Sequence, residues 1–226
     1  MLNFQKIMCF IVLMGFTFSV AYSQKLTQSE KWELKLKAYE KKDSLNPPPN
    51  NHILFIGSST VENWRSLEKD FSIYNVLNRG VSGTKMVDLY LFRERLISPY
   101  HPTKIFIYEG DNDIALGWSP DSIRNVFIDL FHYIREQKPD ATIYMVSIKP
   151  SPSRLKYKDS LLRTNKLLKD FIEKQNNAGY IDVYTPMLRD GEIVPDYYRE
   201  DKLHLTSQGY EIWRQEIGPY IKKQAK

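Results

Sequence analysis

Near its C-terminal end the chain reads Asp201-Lys202-Leu203-His204-Leu205-Thr206. An aspartate three residues ahead of a histidine, just before a helix start, can hold an imidazole in one tautomer, and an imidazole so held can act as a general base. A base implies a nucleophile, and Gly57-Ser58-Ser59-Thr60 offers serines in a tight turn. Two more clusters combine glycines with amide side chains: Asn78-Arg79-Gly80-Val81-Ser82-Gly83 and Glu109-Gly110-Asp111-Asn112-Asp113. Acyl transfer requires a nucleophile, a base, a group that orients the base, and donors for the developing oxyanion. A serine of the first turn, His204, Asp201, and the Gly80 N–H with the Asn112 side-chain amide fill these roles. Each piece also has a plainer reading. Gly-Ser-Ser-Thr suits a helix cap or a phosphate-cradling turn, Gly80 and Gly83 suit turns with positive φ, and Asn112 suits an Asx-turn. The chemical reading rests on all four clusters meeting at one place.

The pattern of elements supplies that meeting place. Five short apolar runs are rich in β-branched and aromatic residues: Ile53 to Ile56, Ile73 to Leu77, Ile105 to Tyr108, Thr142 to Val146 and Tyr180 to Tyr184. Such runs predict strands buried on both faces. Helical spacing joins Ile123, Val126, Phe127, Leu130, Phe131 and Ile134, with Ser119 as N-cap, Pro120 at the first helical position and Lys138-Pro139 as the stop. Leu161, Leu168, Phe171 and Ile172 mark a further helix, and Thr206 caps a last one carrying Tyr210, Trp213 and Ile217. Alternation of strand and helix with short joins predicts a three-layer α/β/α sandwich on a five-stranded parallel sheet. In such sheets ligands bind beyond the carboxyl ends of the strands, which is where the clusters fall. The aperiodic stretch 185–203 is long enough to cover a site, and Trp118, Tyr197 and Tyr198 are expected near it.

The chain has 226 residues and a formal net charge of +5, with basic residues scattered among acids. No dense basic block interleaved with aromatics occurs, so nucleic acid is not an expected partner. Residues 1–23 read as a cleaved export signal: Lys6, an apolar stretch from Ile7 to Val20, then Ala21-Tyr22-Ser23, with Gln24 as the mature start. The apolar stretch is short for a membrane span. Cys9, the single cysteine, lies inside this segment. Residues 24–50 predict an amphipathic helix over 28–43, bearing Trp32, Leu34, Leu36 and Tyr39, followed by the stiff Pro47-Pro48-Pro49 entry to a domain over 51–226. His52, His101 and His132 stand at no metal-ligand spacing, so no metal is expected. Dinucleotide and P-loop motifs are absent, and Gly80-Val81-Ser82-Gly83-Thr84 misses the nucleophile elbow of α/β-hydrolases by its last residue.

Taken in chain order, the four clusters resemble the SGNH hydrolases, also called GDSL-type esterases and lipases, from Ile53 to the C-terminus. The family's first block, usually Gly-Asp-Ser, is matched by Gly57-Ser58-Ser59, with Ser58 in place of the aspartate. The second is matched by Asn78-Arg79-Gly80, the third by Gly110-Asp111-Asn112-Asp113, and the last by Asp201 and His204. A subgroup with Gly-Ser-Ser, a short helix and then a tryptophan, here Trp64, is similar. The resemblance implies a flavodoxin-like fold and ester hydrolysis without a cofactor. It makes Ser59 the nucleophile, ahead of Ser58 or Ser82, with oxyanion donors at Ser59, Gly80 and Asn112. The expected substrate is a small-molecule or carbohydrate ester carrying a short acyl group. A lysophospholipase or thioesterase, a glycan-binding module without catalysis, and a nucleotide-binding protein of the same fold are the rival expectations.

Overall fold

The computed structural model describes residues 26–222. The expected signal segment, with Cys9, lies outside them. In chain order the elements are α1 (Gln28–Leu45), β1 (His52–Gly57), α2 (Ser59–Glu62), α3 (Leu67–Asp70), β2 (Val76–Gly80), α4 (Met86–Leu91), α5 (Arg93–Leu96), β3 (Pro102–Tyr108), α6 (Asp111–Ala115), α7 (Pro120–Gln137), β4 (Thr142–Val146), α8 (Lys158–Ile172), β5 (Ala178–Ile181), the short pair β6 (Leu188–Arg189) and β7 (Glu192–Ile193), and α9 (Ser207–Lys222).

Strands β1 to β5 form one parallel sheet in the order β2-β1-β3-β4-β5. This is the flavodoxin-like order, and its switch point lies between β1 and β3. Alternation along the strands feeds two cores. Leu54, Ile56, Ile105, Ile107, Ile143 and Met145 face one side, under α4, α7 and α8. Ile53, Phe55, Phe106, Tyr108 and Tyr144 face the other, under α2, α3 and α9. On that second side Phe55 stacks on Phe106 at 4.5 Å, and Phe106 on Tyr144 at 4.9 Å. Trp64, 1% exposed, fills the corner between α2, α3 and α9 against Phe55, Phe71, Tyr210 and Trp213.

Two strands shift from their expected places. The second run was expected at Ile73 to Leu77, yet Ile73 is 83% exposed. The chain is still turning after α3, with the Tyr74 N–H bonded to the Phe71 carbonyl at 2.8 Å, so pairing begins only at Val76. The fifth strand starts earlier than expected and ends at Ile181. There Asp182 Oδ1 accepts the N–H groups of Tyr184 and Thr185, at 2.8 and 3.1 Å, and bends the chain away.

The helix α1 forms where expected, started by a Thr27–Glu30 capping box. Of its expected apolar face, Leu36 is buried in the core and Trp32 and Tyr39 pack against it, but Leu34 is 56% exposed. Polar contacts add to this apolar docking. The Tyr39 hydroxyl donates to the Gly80 carbonyl at 2.5 Å, Lys35 pairs with Glu62 at 2.8 Å, and Asp43 pairs with the buried Arg79. The Arg79 guanidinium sits over the rings of Tyr39 and Tyr100, at 4.7 and 5.1 Å from their centres.

Because Trp64 joins the sheet to three helices, Trp64→Ala should cost about 3–5 kcal/mol of stability, the usual range for deleting a buried large aromatic side chain. Chemical denaturation measures this, and a loss below about 1 kcal/mol would show that this corner is not a packed core.

Candidate active site

The register of the sheet brings three strand ends level: Gly57 pairs with Gly80 on one side and with Tyr108 on the other. The residues that follow each end therefore share one edge. At Gly57, φ is +149° and an added Cβ would lie 2.1 Å from the Tyr108 carbonyl oxygen, so only glycine fits. Ser58 follows as the buried N-cap of α2, and Ser59 is its first helical residue. The Tyr210 hydroxyl donates to the Thr60 carbonyl at 2.9 Å and ties this turn to α9.

The Asp201–His204 turn reaches the same edge. Asp201 Oδ1 accepts the N–H groups of Leu203 and His204, each at 2.9 Å, while Oδ2 lies 2.7 Å from His204 Nδ1. Lys202 takes a positive φ of 57° to close the turn. Burial alone would push the Asp201 carboxyl up, but bonds from the His204 ring and from the two N–H groups outweigh it and hold it down at about 2. The ionised carboxylate accepts, so Nδ1 carries the ring proton. Nε2 is then the acceptor, and it lies 3.0 Å from Ser59 Oγ. His204 thus stands between the other two groups, as the sequence reading requires, and it meets Ser59 rather than Ser58.

A cleft of about 520 Å³ opens over this row, lined among others by Ser59, Ser82, Gly83, Asn112 and His204. Asn112 gives one amide hydrogen to the Thr84 carbonyl at 2.9 Å, which leaves its second for the cleft. Gly80 does not serve as expected. Its N–H is taken by Asn78 Oδ1 at 2.9 Å, its carbonyl by Tyr39, and Glu62 backbone packs where its Cβ would be. Gly80 allows α2 to approach β2. Gly83, three residues on, lines the cleft, and no described group accepts its N–H.

Several surrounding residues carry no motif. Gln28, Lys31, Trp32 and Lys35 from α1 wall the cleft. Glu62 accepts the Ser82 N–H at 2.6 Å. Its burial favours the neutral acid, but Lys35 and Ser82 outweigh this and keep its carboxyl below the ordinary value. Trp118, Tyr197 and Tyr198 are not among the cleft residues. Trp118 packs against the core, and the Tyr198 hydroxyl donates to the Pro150 carbonyl at 2.5 Å. The stretch 185–203 does not cover the cleft. It forms the β6–β7 pair and short turns beside α9, and it reaches the cleft only through Leu203. Among the described residues no cluster of three or more His, Cys, Asp or Glu side chains could hold a metal ion, and no helix is long and apolar enough to cross a membrane.

Beneath the Asn112 turn lies an acid that sequence reasoning missed. Glu109 is fully buried, with Oε2 2.8 Å from Thr84 Oγ1. Burial, reinforced by the nearby Asp113, pushes its carboxyl well above the usual range. Neutral Glu109 can donate to Thr84, whose own hydrogen then goes to the Val81 carbonyl at 2.8 Å. Asp113, which accepts the Met86 N–H, is pushed by burial up to about 6.

The parallel sheet, its switch-point cleft and the Ser59–His204–Asp201 row thus meet at one edge. The profile of the GDSL-like lipase/acylhydrolase family matches residues 55–212, and the chain belongs to that family. Solved structures share the fold. A Streptococcus pneumonia protein provisionally named platelet activating factor superposes with a TM-score of 0.77 at 21% identity, covering 86% of this chain and 94% of that one. A GDSL-like lipase from Bacteroides thetaiotaomicron gives 0.72 at 21% identity, covering 83% and 97%. An acetylxylan esterase from Geobacillus stearothermophilus gives 0.64 at 15% identity, covering 77% and 95%. Among curated sequences, N-acylneuraminate cytidylyltransferase of Escherichia coli O18:K1:H7 is 24% identical over 177 residues, 75% of this chain; the chain spans 40% of that relative's length.

A carboxyl raised in the folded state favours the fold fully below its unfolded value and loses that contribution as pH rises towards the folded one. Glu109→Gln keeps a neutral donor, so its stability relative to the parent should rise as pH increases above about 4.5, the ordinary value for Glu. Thermal melts across pH 4 to 8 test this, and a pH-independent difference would mean that the fold does not raise the Glu109 carboxyl.

Proposed function

We propose that the protein is an exported serine esterase that removes short acyl groups, acetyl foremost, from carbohydrate. The observation that carries this reading is the Ser59–His204–Asp201 row on an open cleft of mixed polar and apolar lining. Ser59 Oγ attacks the ester carbonyl while His204 Nε2 takes its proton, and Asp201 stabilises the imidazolium that forms. The N–H groups of Ser59 and Gly83 and the Asn112 amide face the oxyanion. Ser59 lies at a helix start, where an N–H has no partner within the helix. His204 then returns the proton to the leaving alcohol, and a water activated by the same imidazole releases the acid.

The cleft also bears on substrate. Its walls include Gln28, Lys31, Lys35, Glu62 and Asn63, with Trp32, Val81 and Leu203 as the apolar members. A long acyl chain needs a continuous apolar channel, and this lining does not supply one, which argues against a lysophospholipase. Sugar hydroxyls suit polar walls beside one aromatic face. One structural relative points the same way: the Geobacillus enzyme is an acetylxylan esterase whose catalytic mutants replace a serine or a histidine by alanine. Export is supported by the pattern of residues 1–23.

Ser59→Ala should abolish hydrolysis of p-nitrophenyl acetate and labelling by a fluorophosphonate, whereas Ser58→Ala should retain labelling. Asn112→Ala should lower kcat about 10²–10³-fold, as expected for one oxyanion donor. Labelling that persists in Ser59→Ala would move the nucleophile elsewhere. Across acetyl-sugars, nitrophenyl esters of rising chain length and lysophospholipids, the acetyl esters should turn over fastest. A preference for long chains would overturn the substrate assignment while leaving the catalytic row intact.

A further inference from the structure

Helix α1 lies N-terminal to the segment that the family profile matches, 55–212, yet it bonds directly to the turn that carries Gly83. Gln28 Nε2 and Trp32 Nε1 both donate to the Ser82 carbonyl oxygen, at 3.0 and 2.9 Å. One helical turn on, Lys35 pairs with Glu62 at 2.8 Å, and Glu62 accepts the Ser82 N–H at 2.6 Å. Both backbone groups of Ser82 are therefore held from the α1 side, one directly and one through Glu62.

The Ser82 carbonyl and the Gly83 N–H belong to the same peptide unit. In a planar trans peptide they point in opposite directions. Two donors on the oxygen fix the plane and turn the Gly83 N–H away from Gln28 and Trp32. The φ of +79° at Gly83 permits this orientation, and an added Cβ there would lie 2.9 Å from Gln28 Nε2. Hydrogen bonds to a carbonyl also polarise the peptide and strengthen its N–H as a donor.

We propose that Gln28 and Trp32 are positioning residues for ester hydrolysis: by clamping the Ser82 carbonyl, they aim and polarise the Gly83 N–H that receives the oxyanion. The proposal rests on the assignment of Gly83 as a donor. It makes α1 a working part of the active site. A preorganised donor matters most when charge develops, so the clamp acts on the transition state more than on bound ester.

The test uses the full chain with p-nitrophenyl acetate, an ester too small to depend on the α1 wall. Gln28→Met and Trp32→Phe each remove one donor and keep most of the bulk. Each should lower kcat about 10-fold and the pair together about 100-fold, within the range for losing an oxyanion donor outright, with KM changed less than about twofold. Affinity for a trifluoromethyl ketone, which forms a tetrahedral oxyanion on the nucleophile, should fall in step with kcat/KM. Leu34→Ala, on the exposed face of α1, should leave kcat unchanged. A kcat within about twofold of the parent in the double variant, or a rise in KM alone, would overturn the proposal. If Trp32→Phe fails to fold, the exposed Gln28 decides the matter through Gln28→Met. A Ser59→Ala protein that still hydrolyses the ester would instead overturn the catalytic reading beneath.

Discussion

Between Gly57 and the Tyr108 carbonyl there is no room for a side chain, and the site depends on that closeness. A Cβ at Gly57 would stand 2.1 Å from the Tyr108 oxygen. Strand β1 can therefore end against β3 and turn at once into α2, presenting Ser59 at a helix start instead of burying it in the sheet. The second glycine of this register, Gly80, plays the same steric part on the β2 side, where a Cβ would meet Glu62 N at 2.2 Å. Two glycines thus hold the Ser59 turn between its neighbours, and Gly83 follows three residues after the second.

This explains what could be read from the sequence and what could not. The strands at Ile53 to Ile56 and Thr142 to Val146 were legible because every residue in them is buried. The second strand slipped because Ile73, apolar by type, sits in an exposed turn. The Asp201–His204 pair and Ser59 were legible because each role is confined to a short stretch of chain. Gly80 was misjudged for a physical reason. A glycine close to a site can serve steric approach or donate a hydrogen bond, and only the direction of its N–H distinguishes the two. Gln28, Trp32 and Glu62 carry no local pattern, since their partners lie between 20 and 54 residues away. The aromatic wall was sought at Trp118, Tyr197 and Tyr198, but the tryptophan in the cleft is Trp32 of α1, ahead of the segment that the family profile matches.

The weak apolar face of α1 fits this role. A helix bound by apolar burial tolerates small slides, because dispersion and hydration free energy change gradually with position. A helix bound by Gln28, Trp32, Lys35, Tyr39 and Asp43 is held in register by directional bonds, since a hydrogen bond weakens steeply away from its preferred geometry. The buried Arg79, paired with Asp43 and flanked by Tyr39 and Tyr100, anchors the C-terminal half of α1. Precision at Ser82, near the N-terminal end of α1, is inherited from that anchor.

The acids around the site divide by environment. Asp201 is exposed and receives three hydrogen bonds, so it stays ionised beside His204. Glu109 is enclosed beside Asp113, and its burial favours the neutral acid. Were Glu109 ionised, its field would act on the two segments that carry Gly83 and Asn112, which meet at Thr84, and under the proposed function it would oppose a developing oxyanion. A neutral Glu109 gives Thr84 a hydrogen bond without a negative charge. A carboxyl group thus stands ionised beside the imidazole at Asp201, while burial beneath Thr84 favours the neutral acid at Glu109.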